Sequence, residues 1–351
     1  ATSRMVGRAG ACDIFDNVVI NRDYEAHDGL LSTTSKRPGG IVIVVCGEAL
    51  IDLVPAGGDL WRALSGGGPA NTAVALARLE TPTAMLARLS DDAFGAQLRK
   101  RFVDNNVDLR YAVDATESTT LAIVGLDEHG GARYTFHLEG TADWQWNELE
   151  IPPAFSPEIA AIHAGSMVLV GRPGGPVVER MLERERGQRV ISIDPNVRPV
   201  MCPDVDEYRS MVERWLDIAH IMKVSADDVS WLYPGREPLD VLAEWAARGP
   251  LVVTLTLGPD GAVASTARGE TVQVPGIKVD VVDTIGAGDT FTAGLLHSLA
   301  QQECLNIEAL SRIGAAQLET ALSFAAQVSA LACMRAGADP PYARDVVPVG
   351  E

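Results

Sequence analysis

The stretch VVDTIGAGDTFTAG, residues 281–294, places two carboxylates around three small residues and then continues with the apolar spacing of a helix. Gly286, Ala287 and Gly288 leave room for a ligand to approach the backbone. The helix that follows them has first-turn N–H groups without internal partners, and such a helix start binds anions. The stretch therefore looks like a phosphate loop, yet it lacks the lysine of the GxxxxGK[ST] loop.

Asp289, in the first turn of that helix, has two interpretations. An acidic residue at this position is often only a cap or a partner of the helix dipole. A carboxylate beside a bound phosphate is repelled by it, however, so this placement needs a use. Accepting the proton of a hydroxyl that attacks the phosphate is such a use. In the second interpretation, Gly286, Ala287 and Gly288 bind the transferred phosphate and Asp289 is the catalytic base; the pattern alone leaves both interpretations open.

A second glycine-rich stretch, SGGGPANTA at residues 65–73, leads into a helix that begins at a proline. It is either a flexible turn or a place where the backbone approaches a polar ligand. In the second case the side chain of Asn71 exchanges hydrogen bonds with that ligand.

Apolar runs that end in polar residues recur along the chain, as in IVIVVCGEALIDL (41–53), RVISIDPN (189–196) and PLVVTLTLG (250–258), with AHIMKVS (219–225) as a weaker version. They alternate with helical patterns, which predicts parallel βαβ units whose ligands bind at the carboxyl ends of the strands. The candidates at these ends are Glu48, Asp52, Asp194, Asn196, Ser225, Asp228, Thr256 and Gly258. The segment TTLAIVGLDEHGGARYTFHL (119–138) instead predicts a β-hairpin, as a flap or a second sheet.

Composition excludes several classes of protein. The net charge of -18 disfavours nucleic acid as a partner. The five cysteines are scattered without a CxxC pair, so a reducing cytoplasm is the expected location. Apolar runs fall short of the roughly 20 residues of a membrane span. GAGDTF fails the GxGxxG pattern at its last position, which disfavours a dehydrogenase. Residues 1–40 have the mixed character of a loosely ordered leader.

The motifs GGGPAN and DTIGAGD resemble the two signatures of the ribokinase-like (PfkB) carbohydrate kinases, and the similarity covers about residues 41–345, before a tail at 346–351. The pieces SDDAFG, HLEGTAD, IDPNVRP and TLGPDGA agree with it. The resemblance implies an α/β, three-layer fold with a mostly parallel central sheet flanked by helices. It also implies a small β-sheet lid, with segments at about 53–65 and 119–138, and phosphorylation of a sugar hydroxyl by Mg-ATP.

Position by position, the resemblance implies the residues of each part of the site. The sugar-binding positions are Asp52, Gly67, Gly68 and Asn71. The nucleotide positions are Ser225 and Asp228, where the family usually has Asn-x-x-Glu, and Thr256, Gly258 and Gly261. The positions of a monovalent cation, potassium in our hypothesis, are Asp283, Ile285 and Gly337. We further expect Mg²⁺, with Arg198 as a candidate second cation, to replace the positive charge of the absent lysine.

The substrate interpretation rests on GEALIDLVP, GGGPANTA and EGTADW, which look most like fructokinases. Fructose, or a related ketose or sugar acid, is therefore the expected substrate, although Leu138 stands where fructokinase-like members often carry arginine. A nucleoside kinase of the same fold and a catalytically silent sugar-binding relative remain as alternatives. Because an isolated two-stranded hairpin is unstable, residues 119–138 should pack on the sugar, on the hairpin near 53–65, or on a second subunit in a homodimer.

Overall fold

The computed structural model describes residues 40–126 and 132–346. The predicted leader, apart from Gly40, and the predicted tail, apart from Val346, lie outside the described residues, as does the turn of the predicted hairpin at 127–131. Within the described part, every helix is too short or too polar to cross a membrane.

The strands are β1 Val42–Cys46, β2 Leu50–Pro55, β3 Trp61–Gly66, β4 Thr83–Leu86, β5 Arg88–Ser90, β6 Val113–Ala115, β7 Leu121–Leu126, β8 Ala132–His137, β9 Ile159–Gly165, β10 Val190–Asp194, β11 Ile221–Ser225, β12 Val252–Thr256, β13 Ala262–Thr266 and β14 Thr271–Val274. The α-helices are α1 Gly68–Arg78, α2 Ala93–Asp104, α3 Met167–Val170, α4 Gly175–Glu185, α5 Val205–Ile218, α6 Ala226–Leu232, α7 Pro238–Ala246, α8 Ala287–Gln301, α9 Ile307–Ser311 and α10 Ala315–Cys333.

The central sheet has eight strands in the order β14-β13-β12-β11-β10-β9-β1-β4. The strands from β12 to β4 are parallel, and β13 and β14 add an antiparallel edge. The apolar run in β1 is buried on both faces, as predicted: Val44 and Cys46 face one hydrophobic cluster, and Ile43 and Val45 face the other. Helices α3–α7 supply the first cluster, and α1, α2 and α8–α10 supply the second. The predicted three-layer α/β fold is thus confirmed.

A second, four-stranded sheet has the order β3-β2-β7-β8. The predicted hairpin is the antiparallel pair β7 and β8, and β2 and β3 form another such pair. The two pairs join where β2 runs parallel to β7. Residues 119–138 therefore pack on the hairpin near 53–65, which was one of the three expected supports.

Helix α8, which carries Asp289 in its first turn, is fixed by close packing on α10. A Cβ atom on Gly294 would lie 2.4 Å from Val328 Cγ2 and 2.8 Å from Ala325 Cα. Glycine is thus what lets the two helices approach this closely. The position of the α8 N-terminus, and of Asp289 with it, depends on that contact.

Candidate active site

The starts of α1 and α8 meet at the carboxyl end of the central sheet, beside β10. Gly68 is the point of closest approach: a Cβ atom there would lie 3.2 Å from Asp289 Oδ1 and 3.1 Å from Asn196 Nδ2. The second glycine stretch and the GAGD stretch, although 218 residues separate Asn71 from Asp289, thus line one space. Any side chain at position 68 would fill that space.

Asp289 is buried, and its carboxylate is held on one side only among the contacts of the described residues. Asn71 Nδ2 donates to Asp289 Oδ2 over 2.9 Å, and Thr72 Oγ1 donates to the Asp289 carbonyl over 3.3 Å. Oδ1 faces the space beside Gly68. Burial raises the pKa of Asp289, an effect that the hydrogen bond from Asn71 and the charge of Lys223 oppose.

The predicted phosphate-binding residues form the turn into α8. Gly286 has a left-handed backbone, with φ of 77°, and Ala287 and Gly288 begin the helix. A Cβ atom on Gly286 would lie 3.1 Å from Ala338 Cβ, so the loop after α10 packs on this turn. The first-turn N–H groups of α8 have no partners within the helix, which suits them to an anion, although the Ala287 N–H donates to the Thr284 carbonyl over 3.2 Å.

Lys223 supplies a cation that the sequence analysis missed. Its ammonium lies 2.8 Å from Asp194 Oδ2 and 3.2 Å from the point that a Cβ atom on Gly288 would occupy. Burial works to lower the pKa of Lys223, but the nearby carboxylates of Asp194, Asp228 and Asp289 outweigh it and raise the pKa. A protonated amine therefore stands beside the GAGD turn, although it comes from β11 rather than from the turn itself.

Ser225 and Asp228, predicted to bind nucleotide, bond to each other at the start of α6. Asp228 Oδ2 accepts hydrogen bonds from the Ser225 amide and hydroxyl, at 3.0 and 2.7 Å, and Oδ1 accepts from the Val197 amide at 2.8 Å. The bonds between Ser225 and Asp228 form a capping box at the start of α6. The bond from the Val197 amide then attaches the loop after β10 to this helix start. In that loop, Arg198 donates to the carbonyls of Asn196 and Val197.

The other predicted nucleotide residues lie farther along the same edge of the sheet. Thr256 ends β12 opposite Ser225, two strands from β10. Gly258, with φ of 58°, has open space around its Cα atom. Gly261 has φ of 100°, and a Cβ atom there would lie 2.1 Å from the Val274 carbonyl oxygen. A turn that needs both glycines thus leaves an exposed surface beside Thr256.

The predicted cation residues come together around the Asp283 carboxylate. Oδ1 accepts from the Ile285 amide at 3.0 Å, and Oδ2 accepts from the Gly337 amide at 2.8 Å. Gly337 has the positive φ of 70° that this loop requires. Asp283 thus links the GAGD stretch to the loop after α10. Within residues 40–126 and 132–346, clusters of three or more His, Cys, Asp or Glu side chains that could hold a metal are absent.

The predicted sugar-binding residues line the side of this space nearest the four-stranded sheet. A Cβ atom on Gly66 would lie 2.1 Å from Asp52 Oδ2, so the Asp52 carboxylate lies directly over the glycine stretch. Burial raises the pKa of Asp52 to about 6, while the positive charge of Arg101 lowers it. Gly67 has φ of 103°, and a Cβ atom there would lie 2.6 Å from the Glu48 carbonyl oxygen.

Two residues with strained backbone stand at the ends of neighbouring strands. Ser166, after β9, has φ of 58°, and Asn196, after β10, has φ of 38°. A position-68 Cβ atom would lie 3.7 Å from Ser166 Cβ, so both residues border the same space as Asp289. Such strain concentrates at functional sites. The sequence around Ser166 has no pattern that predicts its strained backbone, because the strain depends on where β9 ends in the fold.

A model of the "pfkB family carbohydrate kinase" matches residues 42–344. The chain belongs to this family. It is an ATP-dependent carbohydrate kinase, as the resemblance of its motifs predicted.

Two curated relatives show the range of pfkB enzymes that the chain resembles. It is 36% identical over 268 residues to a fructokinase of Rhizobium leguminosarum bv. trifolii, and the alignment covers 75% of this chain and 81% of the relative. It is 34% identical over 280 residues to an aminoimidazole riboside kinase of Salmonella typhimurium, and the alignment covers 77% of this chain and 86% of the relative.

Solved structures of pfkB kinases share the fold. The Xylella fastidiosa fructokinase with bound ATP matches with a TM-score of 0.79 at 28% identity, over 85% of this chain and 93% of that chain. A double mutant of the Vibrio cholerae O395 fructokinase in fructose-, ADP- and potassium-bound form matches with a TM-score of 0.73 at 27% identity, over 86% and 94%.

At the base of the four-stranded sheet, this pfkB kinase buries two neighbouring carboxyl groups. Glu48 is 0% exposed, and neither of its carboxyl oxygens has a hydrogen-bond partner among the described residues. Asp143 accepts from the Ala49 amide over 3.0 Å. Burial, helped by the charge of Asp143, raises the pKa of Glu48 to about 7, and burial also raises that of Asp143 to about 7.

The raised pKa of Glu48 predicts a stability that depends on pH. An acid whose pKa is higher in the folded state adds stability below its unfolded pKa of about 4.3, and that stability is lost as pH rises through about 7. Glu48→Gln keeps the shape without the charge. Its Tm relative to the original chain should therefore rise between pH 5 and pH 8, by about 2 °C or more.

Thermal denaturation of both chains at the two pH values measures this difference. Glu308→Gln is the matched control, because that side chain is 75% exposed and its removal should shift Tm equally at both values. A Glu48→Gln difference that does not change with pH would show that folding does not raise the pKa of Glu48, and it would contradict the prediction.

Proposed function

We propose that this kinase transfers the γ-phosphoryl group of ATP to a hydroxyl of fructose or a related sugar, with Asp289 as the catalytic base. One observation carries the proposal. The buried Asp289 carboxylate lies beside an anion-binding helix start, and its Oδ1 atom faces a space that only a glycine at position 68 leaves open. A sugar hydroxyl in that space would be between the base and the phosphate that it attacks.

In this mechanism each group near α8 has a separate task. Asp289 Oδ1 accepts the proton of the attacking hydroxyl, while Asn71 holds Oδ2. The amides of Gly286 and Gly288 stabilise charge on the transferred phosphoryl group, and the Ala287 amide would join them if it gave up its hydrogen bond to the Thr284 carbonyl. The Lys223 ammonium adds positive charge behind them, at a fixed position set by Asp194. These preorganised donors supply the positive charge that a phosphate-loop lysine supplies in other nucleotide-binding proteins.

Magnesium, when bound, neutralises charge on the β- and γ-phosphates. Asp228 fits a water-mediated contact with this ion better than direct coordination, since its two oxygens already accept three hydrogen bonds from Ser225 and Val197. Mg²⁺ commonly keeps several waters. The nucleotide itself would lie along Thr256, Gly258 and Gly261.

The choice of sugar rests on the fructokinase relatives and on the sugar side of the site. Asp52 offers a carboxylate to a hydroxylated ligand, and Asn71, whose amide bonds Arg101 and Asp289, borders the same space. Leu138, at the position where arginine is common, packs on the apolar cluster of Leu50, Trp144 and Met167. An apolar wall here favours a neutral sugar over a sugar acid, because it offers no cation to a carboxylate.

The four-stranded sheet is proposed to close over the sugar as a lid and to pair with a second copy in a homodimer. Leu60 and Trp61 at its edge are 70% and 50% exposed, which suits a covered surface. Light scattering of the purified chain measures its mass, and a monomer at all concentrations would refute the pairing.

A cytoplasmic location is proposed from the unpaired thiols of Cys46, Cys202, Cys304 and Cys333.

The substrate assignment is tested by measuring ADP release over a panel of fructose, ribose, a 2-keto sugar acid, aminoimidazole riboside and adenosine. Fructose should give the highest kcat/KM, and the sugar acid should be poor. A riboside as the best substrate would instead assign the chain to nucleoside kinases of this fold. Release no faster than without any acceptor, for every compound, would contradict the assignment as an active kinase toward these classes.

Potassium is proposed to bind between Asp283 and the Gly337 loop. Asp283 brings a second carboxylate close to an anion site, and a bound cation would offset its charge and fix the GAGD backbone. Activity should then rise when potassium replaces a bulky organic cation at constant ionic strength. Asp283→Asn should abolish the rise. An equal rate in both salts would refute the cation site and leave the kinase assignment intact.

A further inference from the structure

Arg101, on α2, joins three segments that border the active site. Its Nη1 atom donates to the Ser65 carbonyl over 2.6 Å, and its Nη2 atom donates to Asn71 Oδ1 over 3.1 Å and to the Ala338 carbonyl over 2.9 Å. Ser65 lies in β3 of the four-stranded sheet, and Ala338 lies in the loop that packs on Gly286. One guanidinium thus ties that sheet, α1 and the turn into α8 together.

The contact with Asn71 decides which way its side-chain amide points. An amide has an oxygen that accepts and a nitrogen that donates, whereas a guanidinium only donates. With Oδ1 turned to Arg101, Nδ2 faces the Asp289 carboxylate. The flipped amide would place donor against donor at Arg101 and oxygen against oxygen at Asp289, so the guanidinium favours a single orientation.

That orientation determines how Asp289 is presented to a substrate. The Asn71 hydrogen bond engages Oδ2, which leaves Oδ1 directed at the space beside Gly68. We propose that Arg101 is a positioning residue for the catalytic step, which acts through the amide of Asn71 to orient and keep ionised the Asp289 carboxylate. The inference rests on the proposed role of Asp289 as the base.

A pH profile of kcat is the readout that separates this role from a merely structural one. A hydrogen bond to the charged form of a carboxyl lowers its pKa, and here it opposes the rise caused by burial. If Asn71 loses its fixed orientation, the pKa of Asp289 should rise, so that activity is lost at a higher pH as the solution is acidified. Arg101 and Asp289 also interact directly as charges, and the double-mutant cycle below separates that effect from the one through Asn71. The other charged groups that act on Asp289 are Asp194, Lys223 and Arg198, which the substitution leaves unchanged.

The titration of Asp52 must not contribute to the measured pH profile. Burial raises the pKa of Asp52 to about 6, and the charge of Arg101 lowers it, so the substitution affects this pKa as well. Its titration bears on sugar binding and therefore on KM. Rates at saturating sugar and ATP, from about pH 4.5 to 8, report the bound complex instead.

The experiment is a double-mutant cycle of Arg101→Met and Asn71→Ala. Arg101→Met alone should move the acid limb of kcat upward by about half a unit to one unit, and Asn71→Ala should move it in the same direction. In the Asn71→Ala background, Arg101→Met should add much less, since the group it acts through is gone. The matched control is Lys100→Met, an exposed neighbour on the same helix, 74% exposed, which should leave the limb in place.

An unmoved limb in Arg101→Met would overturn the inference. So would an equal shift in both Asn71 backgrounds, because Arg101 would then act as a charge through space. Circular dichroism and calorimetric ATP binding check the fold, and Arg101→Leu, which also removes every donor, replaces the Met variant if that chain does not fold. If Asp289→Asn keeps its kcat, the base assignment itself fails; if Asp289→Asn is inactive and the limb is unmoved, only the role of Arg101 fails.

Discussion

The ion pair between Lys223 and Asp194, buried at the carboxyl end of the central sheet, is the interaction on which the site depends. Asp194 lies close enough to Asp289 for its charge to raise the pKa of Asp289. Without the ammonium at 2.8 Å from Asp194 Oδ2, two buried carboxylates would face each other beside the turn into α8. Removing one partner of a buried pair typically costs about 3–5 kcal/mol. The lysine that the GAGD stretch lacks is therefore present, but it is supplied by a neighbouring strand.

The parallel sheet explains how such distant residues meet. Strands β9, β10, β11 and β12 end at one edge and form a row of strand ends. Asp194 pairs with Gly165 there, and Ser225, which pairs with Thr256, lies two residues beyond the register of Asp194. The helix starts of α1 and α8 close that row from above, and the four-stranded sheet borders it through Asp52 and the glycine stretch. At the junction of the two sheets, Asp143 bonds the Ala49 amide beside the buried Glu48. The residues proposed for chemistry and for substrate binding, and the sheet proposed as a lid, thus share a few buried polar contacts.

Sequence patterns predicted the features that depend on local chemistry. The apolar runs predicted the strands of the central sheet. The glycines and Asn71 predicted one side of the proposed site, and the GAGD stretch predicted a helix start with Asp289 in its first turn. Lys223 was missed because a lone lysine in AHIMKVS only weakens the strand pattern, and its partner Asp194 is 29 residues away. Arg101 looks like any cation on an amphipathic helix until the fold brings Ser65, Asn71 and Ala338 around it. Asp228 was predicted to serve the nucleotide, and its bonds to Ser225 and Val197 depend on a tertiary contact that spacing alone does not reveal.

The kcat of Asp289→Asn at saturating sugar and ATP tests the central claim most directly. Asparagine keeps the size of the side chain and an oxygen that can accept from Asn71 Nδ2, so circular dichroism and calorimetric ligand binding should change little. Loss of a general base should lower kcat by at least about a hundredfold. A near-native kcat in a folded variant that binds both substrates would show that the Asp289 carboxylate is not the base, and it would contradict the mechanism built on it.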